Sequence, residues 1–416
     1  MKTSAIGVPE FAAIAALLLL YSYAAYYLFG QGVALLQPNF VYLSIYVLAV
    51  LVLVTERRGS EGVAQHSPLI ATLASLLVLM ALQFVVVDVG QEGFALFVGR
   101  VHFLLTFVAM IAILSACTRL DLIVRVVATV VVVSCVINLG EFFLAGSVID
   151  WLSNVPGRAA GFYENSNDSA MFIAMAIPLV ALNTNTRARW AFYGLTLAAV
   201  YVTFSRGGLI AWALFVAVSE LAQGHRRGWG VRAMVFGLGG FVAIGIISLF
   251  SADIARLMTE TLWPYLDANT SARIEFLSND STQERWMVLQ RGFEAFAAAP
   301  LFGEGVGYTY AWDFPVSVHN MMVLMLAEMG IIGGVWYLLF LWSLWSYGRP
   351  YGALAFLVIL VTGLFTHNHL ERPAVAMAIA LYAVAARRTR GAPRIEESKF
   401  SNAGIRVGST HGRSHA

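Results

Sequence analysis

Residues 94–116 read FALFVGRVHFLLTFVAMIAILSA, an almost unbroken apolar run with Arg100 near its start. A bilayer core about 30 Å thick needs about 20 mostly apolar residues per helix, so this stretch is long enough to span a membrane. Comparable stretches precede and follow it, and together they predict twelve spans. These are residues 11–29, 39–55, 68–88, 94–116, 122–145, 168–183, 191–205, 208–222, 233–250, 319–346, 351–366 and 373–386. We therefore expect an all-α polytopic membrane protein whose transmembrane domain covers residues 1–386.

The composition favours the same class. Of 416 residues, 59% are hydrophobic and 12% are charged, whereas soluble domains carry roughly 25% charged residues. The formal net charge is +2, and binding to a nucleic-acid duplex needs a concentrated basic face, so the composition excludes a nucleic-acid-binding protein. Cys117 and Cys135 have no CxxC or Cys/His spacing, so neither a disulfide framework nor a zinc site is expected.

The basic residues of the short connections predict the orientation, because cytoplasmic loops are enriched in Arg and Lys. With twelve alternating spans, both termini are cytoplasmic, and residues 387–416, rich in Arg, Gly, Ser and Glu, are expected to form a disordered cytoplasmic tail. The basic residues that then share the cytoplasmic side are Lys2, Arg57, Arg58, Arg119, Arg125, Arg187, Arg189, Arg226, Arg227, Arg232, Arg349, Arg387, Arg388 and Arg390.

One connection, residues 251–318, is much longer than the others, and by this alternation it lies on the external side before the tenth span. Within it, residues 282–299 (TQERWMVLQRGFEAFAAA) place large apolar side chains three or four positions apart. This spacing predicts an amphipathic helix that lies outside or on the bilayer. The apolar residues concerned are Trp286, Leu289, Phe293 and Phe296.

Several arginines fall at or beyond the predicted external face, where membrane biogenesis disfavours them. Three lie in short external connections: Arg158 in PGRAAGFYENSND, Arg206 in FSRGG and Arg372 in HNHLERP. Because a guanidinium makes planar two-point contacts with phosphate and keeps its charge, such a cluster would suit a lipid-linked phosphate or diphosphate. The alternative is that each arginine pairs locally with a carboxylate or reaches lipid headgroups. The others in this group are Arg100, Arg256, Arg273, Arg285 and Arg291.

Arg206 is followed at once by Gly207 and Gly208. Backbone N–H groups at a helix start could therefore point at the same anion that the guanidinium holds, or the glycines could only permit close packing. Arg285 and Arg291 are six residues apart on the predicted amphipathic helix, so the two do not share one face.

His319 opens the tenth predicted span. At the aqueous rim it can be a neutral base, a donor to phosphate once charged, or a polar anchor. Glu328 follows nine residues later, about 13 Å along a helix at 1.5 Å per residue. An ionisable group at that depth is expected to pair with another buried polar group or to line a cavity.

Three other polar residues have simpler interpretations. His367 and His369 flank Asn368 outside the eleventh span, but they lack the nearby carboxylate spacing of a metal site. Asp168 in NSNDSAMF has the position of a helix N-cap. We expect no metal and no cofactor.

Four motifs occur in order along the chain. They are GRAAGFYENSNDSA (157–170), FSRGG (204–208), ERWMVLQRGFEAFAAAPLFGEGVGY (284–308) and HNMMVLMLAEMGIIGG (319–334). Together they resemble the O-antigen ligase family and the broader superfamily that includes O-antigen polymerases and bacterial protein O-oligosaccharyltransferases. The resemblance covers residues 157 to 346, and the first 150 residues carry no motif of the family.

The resemblance implies a GT-C-type glycosyltransferase of the bacterial inner membrane with its active site facing the periplasm. Such a ligase works in lipopolysaccharide biosynthesis, where it transfers a polysaccharide from undecaprenyl diphosphate to the lipid A core oligosaccharide without a metal. Carried over onto this sequence, Arg206 and Arg285 would hold the diphosphate, and His319 would serve the acceptor hydroxyl or the diphosphate. Arg158 is a weaker match for diphosphate binding, and Arg372 lies outside the shared motifs.

The chemistry fits these residues. Charge grows on the diphosphate as the anomeric bond breaks, so fixed guanidinium groups would stabilise the transition state without a metal. His319 could take the proton of the attacking hydroxyl, and direct displacement would invert the anomeric configuration. If His319 instead binds phosphate in its protonated form, Glu304 or Asp313 is the candidate base.

Other functions remain open from the sequence. The same superfamily includes protein O-oligosaccharyltransferases and O-antigen polymerases, and a polymerase would use a second lipid-linked glycan as acceptor. A twelve-span transporter could use Glu328 and Arg100 in an ion pathway, but its polar residues should concentrate near the midplane rather than at the external face.

Overall fold

A computed structural model describes residues 6–33, 36–87, 90–145, 148, 150–224, 280–312, 317–348 and 350–391. Helices account for most of these residues, as the apolar pattern predicts. In chain order they are α1 Val8–Ala16, continued by a π-helical turn Leu17–Tyr21, α2 Ala24–Gly30, α3 Pro38–Thr55, α4 Arg57–Gln65, α5 Ser67–Val86, α6 Gly90–Ala116, α7 Leu120–Leu144, α8 Ser166–Leu182, α9 Thr186–Tyr201, α10 Arg206–Gly224, α11 Asp280–Ala298, α12 Tyr308–Ala311, α13 Met321–Ser346, α14 Tyr351–Gly363 and α15 Pro373–Gly391.

The chain is a polytopic all-α membrane protein. Within the described ranges, five helices are long and apolar enough to cross a bilayer, and a sixth span results if α1 and α2 form one bent span. Helices also lie over the shorter predicted segments, among which α8 and α14 are apolar. The predicted ninth span, 233–250, lies outside the described residues. The count of twelve is therefore not confirmed.

Alanine-rich helices form the centre of the bundle. From Ser166 to Ala181, every residue of α8 except Asn167 is buried, and α15 is buried from Pro373 to Ala386. Both helices contact several others, including each other, because small side chains let helix backbones approach closely. The starts of α8 and α15 are thus held at fixed positions inside the bundle.

The helix ends separate into two faces. Eight of the described arginines lie in or beside the connections at one end, which we call the basic face. Its members are Arg57, Arg58, Arg119, Arg125, Arg187, Arg189, Arg387 and Arg388. Contacts across this face include the Arg388 guanidinium donating to Leu114 O at 3.0 Å and the Asn183 amide donating to the Tyr351 hydroxyl at 3.3 Å. We call the other end the opposite face.

The first predicted span, residues 11–29, is not one straight helix. The axes of Val8–Tyr21 and Ala24–Gly30 differ by 53°. The bend follows the π-helical turn, and Tyr23 has a left-handed conformation with φ of 63°, which is rare for a residue with a side chain. The break brings the Tyr23 ring to the opposite face of the bundle.

A second break interrupts α13 at Gly330, whose φ is 64° and ψ is −156°. The loop after α11 fills the gap: the Ile331 N–H donates to Pro300 O at 2.9 Å, and the Gly305 N–H donates to Glu328 O at 3.0 Å. Loop groups therefore replace part of the helical hydrogen bonding, as is usual where membrane helices are discontinuous.

The predicted amphipathic helix forms as α11, Asp280–Ala298. Val288 is buried against α13, while Trp286 and Phe293 are 60% and 48% exposed. A Cβ at Gly292 would lie 2.6 Å from Val323, so the missing side chain lets the two helices approach closely. The helix packs by its small residues and turns its aromatic rings outward, an arrangement that suits the bilayer interface.

The predicted tail begins too early at residue 387. Helix α15 continues to Gly391, because Arg387 and Arg388 donate to backbone carbonyls of neighbouring segments and basic residues stabilise a helix C-terminus. Residues 392–416 lie outside the described part of the chain.

Gly330→Ala should destabilise the protein strongly. A Cβ at this position would lie 2.4 Å from the backbone of Leu301, and a left-handed φ is strained for alanine. We expect the free energy of unfolding to fall by about 2 kcal/mol or more, measured as a lower Tm of the detergent-purified protein. Gly140→Ala is the matched control, because nothing lies within 4 Å of an added Cβ there. Equal Tm values for the two variants would contradict the strain at Gly330.

Candidate active site

The connection between α14 and α15, residues 364–372, lies at the opposite face and contacts several helix starts. Its last residues form a 3-10 turn, His369–Glu371. The side chains from this connection that reach other elements are Phe365, His367, Glu371 and Arg372. We call this segment the 364–372 connection, and the candidate site is built around it.

Arg372 ties this connection to two distant segments. Its Nη2 donates to Asp168 Oδ2 at 2.7 Å, its Nη1 donates to the Tyr23 hydroxyl, and its guanidinium lies 5.6 Å from the Tyr23 ring centre. Asn165, not Asp168, caps α8 through its side chain. The cap predicted at Asp168 was therefore wrong, and the carboxylate instead orients Arg372.

Arg100 is buried inside the bundle, not at the external face where the sequence placed it. Its Nη2 lies 3.8 Å from Glu328 Oε2 and 3.9 Å from Glu371 Oε1. The other oxygen of Glu328 accepts from Thr309 Oγ1 at 2.8 Å. The predicted pairing of Glu328 with another buried polar group is confirmed, and this pairing offsets the cost of burying its charge.

Glu371 is a carboxylate whose charge is altered by its buried surroundings. Burial raises its pKa to about 7, although Arg100 and Arg372 act in the opposite direction. The Tyr310 hydroxyl lies 3.5 Å from Glu371 Oε2. Glu371 is therefore poised to change its charge near neutral pH, a property that is concentrated at functional sites.

Glu371 also lines a cavity of about 650 Å³ between α2, α3 and α6. Three tyrosines and one histidine provide most of its polar wall: Tyr26, Tyr42, Tyr46 and His102. The His102 and Tyr42 rings meet edge to face with centres 5.1 Å apart, and the Tyr26 and Tyr42 hydroxyls share a hydrogen bond. The volume is typical of small-ligand sites.

His319 meets His367 at the other side of the connection. Their Nδ1 atoms are 3.3 Å apart. Burial, followed by repulsion from His319 and Arg372, lowers the pKa of His367 to about 3. His367 is therefore uncharged at neutral pH, and one of the two rings donates to the other. This contact fixes the orientation of the His319 imidazole.

His367 and His369 do not act as a metal pair. His369 turns the other way and shares a hydrogen bond with Thr366 Oγ1 at 2.7 Å, and burial lowers its pKa to about 3. In the part of the chain that the structure describes, no group of three or more His, Cys, Asp or Glu side chains is arranged to hold a metal ion.

Arg206 is the first residue of α10, as FSRGG predicts for a helix start. The two glycines serve close packing: a Cβ at Gly207 would lie 2.7 Å from the Phe365 ring, and one at Gly208 would lie 2.4 Å from Ala170. The Gly208 N–H donates to the Ser205 side chain at 3.2 Å, so this N–H is not directed at an anion. Arg206 thus begins a helix that packs directly on the 364–372 connection. The contact is with Phe365, two residues before His367.

Arg158 is engaged by the protein. Its Nε donates to Thr203 O and its Nη2 donates to Asn167 Oδ1, both at 3.0 Å. These contacts join the connection before α8 to the turn between α9 and α10. Because two sides of its guanidinium are occupied, Arg158 holds the start of α8 beside the start of α10.

The remaining predicted residues are less defined. Arg285 belongs to α11, one turn before the buried Val288, but its side chain lies outside the described residues, as does Asp313. Glu304 lies in the loop at the break in α13, where its N–H donates to Ala327 O at 2.9 Å.

The sequence interpretation missed Glu371 and Tyr310 as site residues and gave His367 no role beside His319. One signal was available: HNHLERP places four ionisable side chains in a short connection between apolar segments. Ionisable groups at such positions need partners and often serve function, so the whole stretch, not Arg372 alone, deserved a place in the site.

Comparison with known proteins adds an independent observation. Residues 171–338 match a family model described as O-antigen ligase. No curated protein matches the chain. The matched segment begins just after the GRAAGFYENSNDSA motif and includes the other three motifs, so the match confirms the resemblance seen in the sequence. The matched segment, residues 171–338, carries Arg206 and His319 and is similar to the O-antigen ligase family.

Proposed function

We propose that the protein is an O-antigen ligase. It would be a twelve-span GT-C-type enzyme of the inner membrane, with both termini cytoplasmic and the opposite face of the bundle turned to the periplasm. There it would transfer a polysaccharide from undecaprenyl diphosphate to the lipid A core oligosaccharide. The observation that carries this proposal is that Arg206 and His319 both adjoin the 364–372 connection, through Gly207 and His367 respectively.

Arg206 is the proposed diphosphate ligand, together with Arg285 from α11. As the bond between the anomeric carbon and the diphosphate oxygen breaks, negative charge grows on the diphosphate. A guanidinium fixed at the start of a helix stabilises that charge without reorganising. Arg158 and Arg372 are engaged by protein oxygens, so we assign them to positioning and not to the diphosphate.

His319 is the proposed base. In this arrangement the Nδ1–H of His319 donates a hydrogen bond to Nδ1 of His367, so that Nε2 of His319 carries a lone pair for the acceptor hydroxyl. The hydroxyl oxygen would attack the anomeric carbon, its proton would pass to Nε2, and the diphosphate would leave with the bonding electrons. The low pKa of His367 supports this arrangement, because a neutral imidazole ring can accept a hydrogen bond.

The tyrosine-lined cavity beside Glu371 is proposed to hold sugar residues close to the reacting centre. Aromatic rings offer flat apolar faces together with polar edges, and a carboxylate accepts hydrogen bonds from hydroxyls. Leu43 and Val98 of its wall are exposed on the outer surface of the bundle. The cavity therefore borders the surface from which a lipid-linked substrate would arrive.

A transfer assay tests the function. Purified protein should attach labelled glycan from undecaprenyl diphosphate to lipopolysaccharide that lacks O-antigen, read out as slower-migrating lipopolysaccharide on a gel. Lengthened lipid-linked chains would instead identify a polymerase. Absence of any product in detergent, together with gradient-driven flux in vesicles, would identify a transporter, which the O-antigen ligase family match disfavours.

Arg206→Ala and His319→Ala should each reduce this transfer. Loss of a fixed charge that stabilises a leaving group lowers the rate by about 10²- to 10³-fold, and loss of a general base lowers it by about 10²- to 10⁴-fold. Arg187→Ala removes an exposed guanidinium from the basic face and is the control, with wild-type activity expected. Normal transfer by the Arg206 or the His319 variant would remove that residue from the mechanism.

Glu371 should make stability depend on pH. Its pKa is raised from 4.5 to about 7 in the folded protein. Its favourable contribution to the free energy of unfolding is therefore complete below about pH 4.5 and is lost as the pH rises through 7. The full effect is on the order of 3 kcal/mol. Relative to the wild type, Glu371→Gln should show a flatter Tm between these pH values.

Glu294→Gln is the control for this measurement. Glu294 is exposed on α11 and pairs with Arg291. We expect its Tm to follow the wild-type pH dependence, and an unchanged slope in Glu371→Gln would show that this carboxylate does not titrate in that range.

A further inference from the structure

A second cavity lies at the basic face, at the other end of the bundle from the candidate active site. It measures about 190 Å³ and is bounded by α4, α6 and the last turns of α15. Three guanidinium groups line it, from Arg58, Arg387 and Arg388, and Glu61 is the one acidic side chain among its lining residues. The cavity therefore has a net positive charge.

The charge of Glu61 is already offset from outside the cavity. Arg57, which precedes Arg58, donates from its Nε to Glu61 Oε1 at 2.7 Å. Such an exposed pair contributes little to stability, but it keeps the carboxylate occupied on the side of Arg57. The guanidinium groups of the cavity remain the dominant charges.

The walls of the cavity are fixed by packing. The His66 ring stacks on Tyr347 with centres 5.4 Å apart, its Nδ1 lies 2.7 Å from Gly62 O, and the Arg387 guanidinium lies 5.7 Å from the Tyr347 ring centre. A Cβ at Gly62 would overlap Ser115, so α4 rests directly on α6. The site is therefore formed before any ligand arrives.

The arginines have unused donors. Arg387 Nη2 donates to Gln65 O at 2.8 Å, but its Nε is buried and has no hydrogen-bond partner within the described ranges. Arg388 Nη2 is occupied by Leu114 O and Cys117 O. A buried donor without a partner is costly, and an anion in the cavity would supply the acceptor.

We propose that this cavity binds the phosphate of an anionic phospholipid headgroup. Its position favours a lipid over a free anion, because α4 is a polar helix lying between the ends of the apolar helices α3 and α5, at the level where headgroups lie. Basic pockets between helix ends are known to select anionic headgroups. Two or three guanidinium groups can hold one phosphate through charge-assisted hydrogen bonds.

Lipid binding to the full-length protein tests the proposal. The probe is short-chain phosphatidylglycerol added to protein in non-ionic detergent, with the rise in Tm and the retained lipid in native mass spectrometry as readouts. Phosphatidylcholine and inorganic phosphate are the comparison ligands. Phosphatidylglycerol should bind best, and the double variant Arg58→Gln/Arg387→Gln should bind it at least about fivefold more weakly per charge removed.

The matched control is Arg125→Gln/Arg187→Gln, which removes two exposed arginines from the same face outside the cavity. It should bind like the wild type. If loss of Arg387 prevents folding, Arg58→Gln alone serves, because Arg58 is exposed. The site would be overturned if the control variant weakened phosphatidylglycerol binding equally. It would also be overturned if phosphatidylcholine bound as well as phosphatidylglycerol, or if phosphatidylglycerol did not bind at all. Inorganic phosphate that competes as strongly as the lipid would overturn its assignment to a headgroup.

Discussion

The ion pair between Arg372 and Asp168 is the constraint on which the candidate site depends. It joins the residue before the last helix to the first turn of α8, the most completely buried helix of the described bundle. Because α8 cannot move without repacking the core, the pair fixes the 364–372 connection against a rigid reference. His367 and Glu371 take their positions from that connection, and through them it contacts His319 and Arg100.

Buried charge near this connection is nearly balanced. Arg100 lies close to two carboxylates, Glu328 and Glu371, and one positive charge can neutralise only one of them in a dry interior. The second carboxylate is then favoured in its protonated form, which agrees with the raised pKa of Glu371. A protonated carboxyl can donate a hydrogen bond as well as accept one. The charge state of the cluster thus depends on what occupies the neighbouring cavity.

Much of the helical pattern could be predicted from the sequence, because apolar length and polar breaks are local signals. The helix start at Arg206 and the burial of Glu328 with a polar partner followed from the same kind of signal. The breaks at Tyr23 and Gly330 could not be predicted, since each depends on a distant segment that fills or stabilises the gap. The face by which α11 packs on α13 could not be predicted for a related reason: it depends on the absence of a side chain at Gly292, where a distant helix approaches closely.

The site itself was only partly predictable. Arg206 and His319 were candidates from their positions in the sequence, and the resemblance suggested their roles, whereas the contact between His319 and His367 came from the structure. His367 looked like half of a weak metal pair, and Asp168 looked like a cap. Both interpretations treated each side chain with its sequence neighbours, while the actual partners are 48 and 204 residues away. Long-range pairing of this kind leaves no periodicity in the chain.

The contact between Tyr23 and Arg372 spans 349 residues. Helices of a membrane protein enter the bilayer before they assemble side by side, and these two side chains belong to the first and the last segments of the described bundle. A nascent chain therefore carries the first half of this clamp while the 349 residues up to the second are still being made. The clamp closes only after the last described helix has joined the bundle.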